Sequence, residues 1–251
     1  MRATHQRGFT LLEIMIAMAI GLFLLGALLT IVQTNKAVFA NQNKLEQMQD
    51  AQRMAMTLMA DIIQKAGYFP DPTTNTLGGS LLASTTFGTF ANSQAITGVY
   101  NAAAPGDTIS VRYMTAGGDG ILNCSGVSNT NPPPPGGYVV YVNQFAVVPG
   151  VPAGQPGQLV CTMNGTAYTL VSGVTNLSVL YGVRTLAAAG NNVDTYLNAG
   201  QMSAANWQNV ISVLITLTFN NPLYTAPGQG QPQSITIQRV VDVMNETGPN
   251  T

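Results

Sequence analysis

The sequence predicts an α+β chain, with a long N-terminal α-helix packed on an antiparallel β-sheet head that carries extended loops. Three observations predict it. An apolar run opens at Phe9 and continues to Val32, with no charge between Ile14 and Asn35. No proline occurs before Pro70, and Gln33–Ala66 is rich in Ala, Met, Gln, Leu and Lys, which are strong helix formers. Beyond Gly67 the texture changes to short alternating runs between loops, clearest at Val210–Phe219.

The apolar run comes first. As a helix, Phe9–Val32 spans roughly 36 Å, enough for a hydrocarbon core of about 30 Å. Ahead of it Met1–Gly8 (MRATHQRG) carries Arg2 and Arg7 and no acid, which holds that end in the cytoplasm. An ordinary secretory signal is cut after its apolar region at a small-residue site. Here Gly8 precedes the run, and no clear A-x-A site follows it. Glu13 is the one acid within the run, and a carboxylate there costs up to about 2.5–3.5 kcal/mol at the bilayer centre and less near its edge. A partner for that charge is the natural reading. The plain alternative is an uncleaved signal anchor in which Glu13 is incidental. The junction Gly8-Phe9-Thr10-Leu11-Leu12-Glu13 resembles the class III leader of type IV prepilins. The resemblance implies cleavage between Gly8 and Phe9 by prepilin peptidase, N-methylation of Phe9, and a role for Glu13 in subunit assembly. It also implies the type IV pilin-like fold.

The second half of the helix is amphipathic. Leu45, Met48, Ala51, Ala55, Leu58, Ile62 and Ala66 recur at steps of three and four, as one apolar stripe facing the head. Asp50–Arg53 and Asp61–Lys65 sit at helical pairing distances. Gly67 and then Pro70 supply the stop. A continuous helix from Phe9 to Ala66 would be about 87 Å long. The predicted organisation is therefore a leader at 1–8, a helix at 9–66 (9–32 transmembrane, 33–66 amphipathic) and one β-rich head at 67–251.

Within the head, Tyr68–Asn131 reads as loop-rich, with one strand at Asp107–Met114. Further strands are predicted at Tyr138–Val148, Leu159–Met163, Ala167–Val171, Val174–Arg184, Val210–Phe219 and Ser234–Met244. In Val210–Phe219, Ile211, Val213, Ile215, Leu217 and Phe219 face one way. Asn131–Gly137 and Pro149–Gly157 are proline- and glycine-rich loops.

Composition narrows the chemistry. Only 8% of residues are charged, with nine basic and ten acidic. Beyond Gly67 only Arg112, Arg184 and Arg239 face six acids, Asp71, Asp107, Asp119, Asp194, Asp242 and Glu246. So few cations offer little for phosphate neutralisation, which argues against nucleic acid as a partner of the head. The one histidine, His5, lies in the leader, so no Ser–His or Cys–His nucleophile pair is available to a mature chain. Neither Asp119 nor Asp194 has EF-hand spacing, and both sit in turn-like contexts where capping is the expected role. No metal, cofactor or catalytic residue is predicted. Cys124 and Cys161 are an even pair in a segment expected outside the cytoplasm, which points to a disulfide, with two free thiols as the alternative. Trp207, the lone tryptophan, reads as a core or interface anchor.

Several head motifs are similar to the PilW family of minor pilins. They are Met59–Phe69 (MADIIQKAGYF), Asp107–Tyr113 (DTISVRY), the pair Cys124 and Cys161, Gly173–Val183 (GVTNLSVLYGV), Val193–Tyr196 (VDTY) and Trp207–Leu217 (WQNVISVLITL). Major pilins usually carry a helix-loosening proline where this chain has Thr30. The resemblance implies an assembly-promoting minor pilin of a Gram-negative type IV pilus. It would sit in the inner membrane with its head in the periplasm, and then in the fibre near the tip. The implied partners are other minor pilins, the major pilin and a tip adhesin. A minor pseudopilin of a type II secretion system, or an adhesive or DNA-binding pilin, would be built the same way.

Overall fold

The computed structural model describes residues 8–132, 137–152, 155–185, 192–228 and 230–244. The leader before Gly8 with Arg2, His5 and Arg7, most of the loop predicted at Asn131–Gly137, two residues of the Pro149–Gly157 loop, and Glu246 lie outside the described residues. The chain divides into two compact units, Met1–Gln47 and Met48–Thr251.

One helix, α1 (Leu11–Gln64), belongs to both units. In the first unit it is apolar and exposed almost throughout, with Leu11, Leu22 and Phe23 each more than two-thirds accessible. This segment is long and apolar enough to cross a membrane. Thr30 and Thr34 return their hydroxyls to the carbonyls of Gly26 and Thr30, at 3.0 and 2.9 Å. The β-branched polar residues thereby satisfy themselves on the helix and do not interrupt it.

In the second unit the same helix becomes structural. Ala55, Met56, Met59, Ala60, Ile62, Ile63 and Ala66 are buried. The predicted stripe had the right direction, but Leu45 and Met48 stay partly exposed, while Met56, Met59 and Ile63 join the core. The buried surface is wider than a narrow seam because it faces a broad sheet and not another helix. The helix stops where Gly67 takes a positive φ of 77° and donates its N–H to the Arg112 carbonyl at 3.1 Å. A residue with a side chain is strained in that conformation.

The head is antiparallel β-sheet, as predicted, and its described strands form two sheets. The first is a meander of five strands, β1 (Ile96–Val99), β2 (Thr108–Thr115), β3 (Val139–Val148), β4 (Gln158–Met163) and β5 (Thr166–Ser172), in that order. The second, from β6 (Val174–Val183), β7 (Thr195–Leu197), β8 (Val210–Asn220) and β9 (Ser234–Asp242), has the order β7-β6-β8-β9. Gly173 makes the division. Its φ of 91° turns the chain between β5 and β6, and its backbone bonds Gly157 on one side and Asn220 on the other. The sequence reads as one strand after another there because a single glycine redirects it without a polar loop. Strands β1 and β7 fell in stretches read as loop; both are short, at four and three residues. Three brief helical turns, α2 (Leu77–Ser80), Ala199–Gln201 and α3 (Ala204–Trp207), complete the description.

The core-facing side of β8 is as the alternation predicts, with Val213, Ile215, Leu217 and Phe219 at 1% exposure or less. Opposite them Leu177, Val179 and Tyr181 of β6 are equally buried, and from the first sheet come Ile109, Val111, Tyr113 and Phe145. Burial of this apolar surface is the main favourable contribution to folding of the head.

Candidate functional site

The Gly8–Glu13 segment forms a helix start. Gly8, Phe9 and Thr10 precede the first helical residue, Leu11, and Phe9 is 84% exposed. Thr10 Oγ1 accepts from the Glu13 N–H at 3.3 Å, and Glu13 Oε2 accepts from the Thr10 N–H at 3.0 Å and from its hydroxyl at 3.1 Å. This is a capping box, each residue satisfying the other's orphan donor. The carboxylate also lies in the first turn, at the positive end of the helix. Glu13 therefore has a local partner that the sequence reading did not name, although the T-x-x-E spacing was legible. The junction Gly8–Phe9 lies just ahead of this cap, so cutting there would leave Thr10 and Glu13 together on the same chain.

Asp119 accepts from the Ala116 N–H at 2.7 Å and the Ile121 N–H at 2.9 Å. Asp194 accepts from the Thr185 N–H at 2.8 Å and its hydroxyl at 2.9 Å. Asp119 caps its own turn, as expected of an acid in such a context, whereas Asp194 bonds Thr185, 9 residues earlier in the chain. Among the described residues no three His, Cys, Asp or Glu side chains gather to hold a metal ion. Trp207 packs edge-on against Tyr181 with ring centroids 4.8 Å apart, as an anchor on the head's own core.

Cys124 and Cys161 are bonded to each other, with Cα atoms 6.3 Å apart, within ordinary disulfide range. Cys161 sits on β4 opposite Phe145, and Cys124 on a loop whose N–H donates to Asn143 Oδ1 at 2.9 Å. The bond ties the irregular segment after β2 to the centre of the first sheet. Within the tied segment the Leu122 carbonyl accepts from the Tyr113 hydroxyl at 2.7 Å.

Two buried charges organise the rest, and neither was singled out from the sequence. Arg112, on the outer face of β2, is 2% exposed. Its guanidinium donates to the carbonyls of Gln94 (2.6 Å), Leu82 (2.5 Å), Leu81 (3.1 Å) and Ala91 (2.7 Å), and it lies 4.6 Å over the Phe90 ring. Burial lowers its pKa to about 10, which leaves it charged at neutral pH. The planar fork thus pins the loop from Leu81 to Ala95 over the first sheet. The sequence shows only an arginine within an alternating strand, which does not reveal its burial. Asp107, 4% exposed, does the equivalent between the sheets. It accepts from the N–H groups of Asn101 and Val179, both at 2.8 Å, and its own N–H donates to the Leu177 carbonyl at 2.7 Å. Next to it Tyr181 is buried with its hydroxyl unpaired, and burial, then the nearby Asp107 charge, push its pKa up.

Two family models match this chain. The prokaryotic N-terminal methylation motif covers residues 3–29, and the type IV pilus-assembly protein W model covers residues 151–248. The second spans β4 to β9, including the motifs at Gly173–Val183, Val193–Tyr196 and Trp207–Leu217; those at Met59–Phe69 and Asp107–Tyr113, and Cys124, fall outside it. No curated protein and no solved structure matches the chain. Together the two family matches support a PilW-like type IV minor pilin, membrane-anchored by its N-terminal helix.

Proposed function

We propose that this PilW-like chain primes assembly of a type IV pilus, within a tip complex of minor pilins, and that it catalyses no reaction. The observation that carries the reading is the joining, on one chain, of a methylation-motif helix to a head whose C-terminal half matches the assembly protein W model. Prepilin peptidase cuts at Gly8–Phe9 and the Phe9 amine is methylated, so N-terminal sequencing of the mature chain is expected to start at Phe9. The helix holds the protein in the inner membrane with its head in the periplasm. The exposed apolar surface of Leu11–Val32 then exchanges lipid for neighbouring pilin helices, an exchange between apolar surroundings that costs little. Glu13 meets the Phe9 amine of an adjacent subunit or of its own chain. The partners are other minor pilins, the major pilin and, at the tip, an adhesin.

An initiator is needed in few copies, so its loss removes fibres and not subunits. Deletion is expected to reduce sheared surface pili sharply while the inner-membrane pool of major pilin stays normal, and blocking retraction is expected to restore part of the fibre count. Normal piliation after deletion would refute priming. Loss of a secreted enzyme in that case would favour a type II pseudopilin, and loss of attachment or DNA uptake a binding role.

A further inference from the structure

The two sheets leave four edges among the described residues, and three are blunted. β1 has four residues with Gly98 among them, β7 has three, and β5 pairs with β4 through a register shift at Leu159/Val160. Short or irregular edges are how sheets avoid adding foreign strands. β9 is different. All nine of its residues pair with β8 without a shift, and it contains no proline, glycine or lysine. Its other side carries no strand among the described residues.

The side chains make this edge selective. Ile235, Ile237, Arg239 and Val241 lie opposite Phe219, Leu217, Ile215 and Val213, and so share the core-facing side of the sheet. Those four β8 partners are fully buried, whereas Ile235 and Ile237 are half-buried and Arg239 is exposed. The apolar layer therefore continues one strand short of cover, with a cation in its middle. No carboxylate pairs with Arg239 among the described residues.

We infer that the outer edge of β9 binds an extended segment of another polypeptide, an alternating strand with an acid placed to meet Arg239 and apolar residues flanking it. Backbone hydrogen bonds supply affinity, and Arg239 sets register and excludes cationic strands. A second copy of β9 is the wrong occupant. Antiparallel pairing about the strand centre brings the two Arg239 side chains opposite or diagonal on one face, and in-register parallel pairing stacks them, where like charges repel. This surface is independent of the priming role: a pilin that starts fibres does not require it, so either conclusion can fail alone.

The test uses the full-length chain in detergent micelles, with empty micelles as blank. The probe is a nine-residue peptide with valines and a central glutamate on one face and threonines on the other; its twin carries lysine at the centre. By fluorescence anisotropy the glutamate peptide is expected to bind at least tenfold more tightly than its twin. Arg239→Glu, at an exposed position, is expected to reverse that order, and Arg239→Gln to abolish the difference. N-methylation of alternate peptide amides is expected to abolish binding in one set and spare it in the other, because a strand presents alternate amides to each edge. Absence of binding, equal binding of the two peptides, or indifference to Arg239→Glu overturns the inference. So does a chain that dimerises through β9–β9 cross-links.

Discussion

Glu13→Gln and Glu13→Ala separate the cap seen at Glu13 from the charge pairing proposed for it. The carboxylate closes a capping box with Thr10 through contacts of 3.0, 3.1 and 3.3 Å. A glutamine oxygen can accept the same Thr10 N–H, so Glu13→Gln keeps the cap and removes the charge. Glu13→Ala removes both, and the lost cap costs about 1 kcal/mol at the helix start. If the charge meets the Phe9 amine inside a packed fibre, deleting one partner of that pair costs roughly 3–5 kcal/mol. At about 1.4 kcal/mol per tenfold, that is a drop in incorporation beyond 100-fold. Both variants are therefore expected to enter the membrane at least as well as the parent and to be nearly absent from sheared pili, with Ala no more than about tenfold worse than Gln. Immunoblots of the sheared and membrane fractions give the ratio. A Glu13→Gln chain found in fibres at the parental level would refute charge pairing and leave the cap as the whole role of the residue.

Other perturbations address the head. Arg112→Met strips partners from four carbonyls and is expected to destabilise by about 3–5 kcal/mol; Arg112→Lys keeps the charge without the fork and is expected to recover only part of this, both read by chemical denaturation. The double variant Cys124→Ser with Cys161→Ser opens a closed loop of about 38 residues, worth ~4 kcal/mol, and is expected to lower the melting temperature by about 10 °C. Full alkylation of the unreduced parent would refute the bond. Burial raises the pKa of Tyr113 and Tyr181, so their stabilising protonation is complete below the ordinary tyrosine value near 10 and is lost as pH rises beyond it. Arg112 acts in the opposite sense between about 10 and 12.5, because the folded state sheds that proton first, but one group does not offset two. Stability is expected to stay flat to about pH 9 and fall above 10, and Tyr181→Phe is expected to reduce that fall at no cost near neutrality, since the hydroxyl it deletes is buried and unpaired. Gly98→Ala is expected to unfold the head locally, because a Cβ there would strike the Tyr181 hydroxyl and the Thr108 carbonyl; Tyr181→Phe is expected to rescue it in part.

The helix, its membrane-length half, the T-x-x-E start and the alternating strands are local patterns, and each was legible because a few adjacent residues carry the whole signal. The alternation of β8 placed Val213, Ile215, Leu217 and Phe219 correctly, since a strand's two faces follow from period alone. Asn164–Gly165 was a readable hairpin signal too; both residues take positive φ and join β4 to β5. What tertiary structure alone decided is where those patterns meet. One positive φ at Gly173 divides the described strands into two sheets. The helix stripe broadened to Met56, Met59 and Ile63 because a sheet, not a second helix, lies against it. Nothing in the sequence marks Arg112 and Asp107 as buried, since the carbonyls and N–H groups that hold them come from up to 31 and 72 residues away. Burial of a charge depends on such distant partners arriving together, and no local pattern of residue types encodes that.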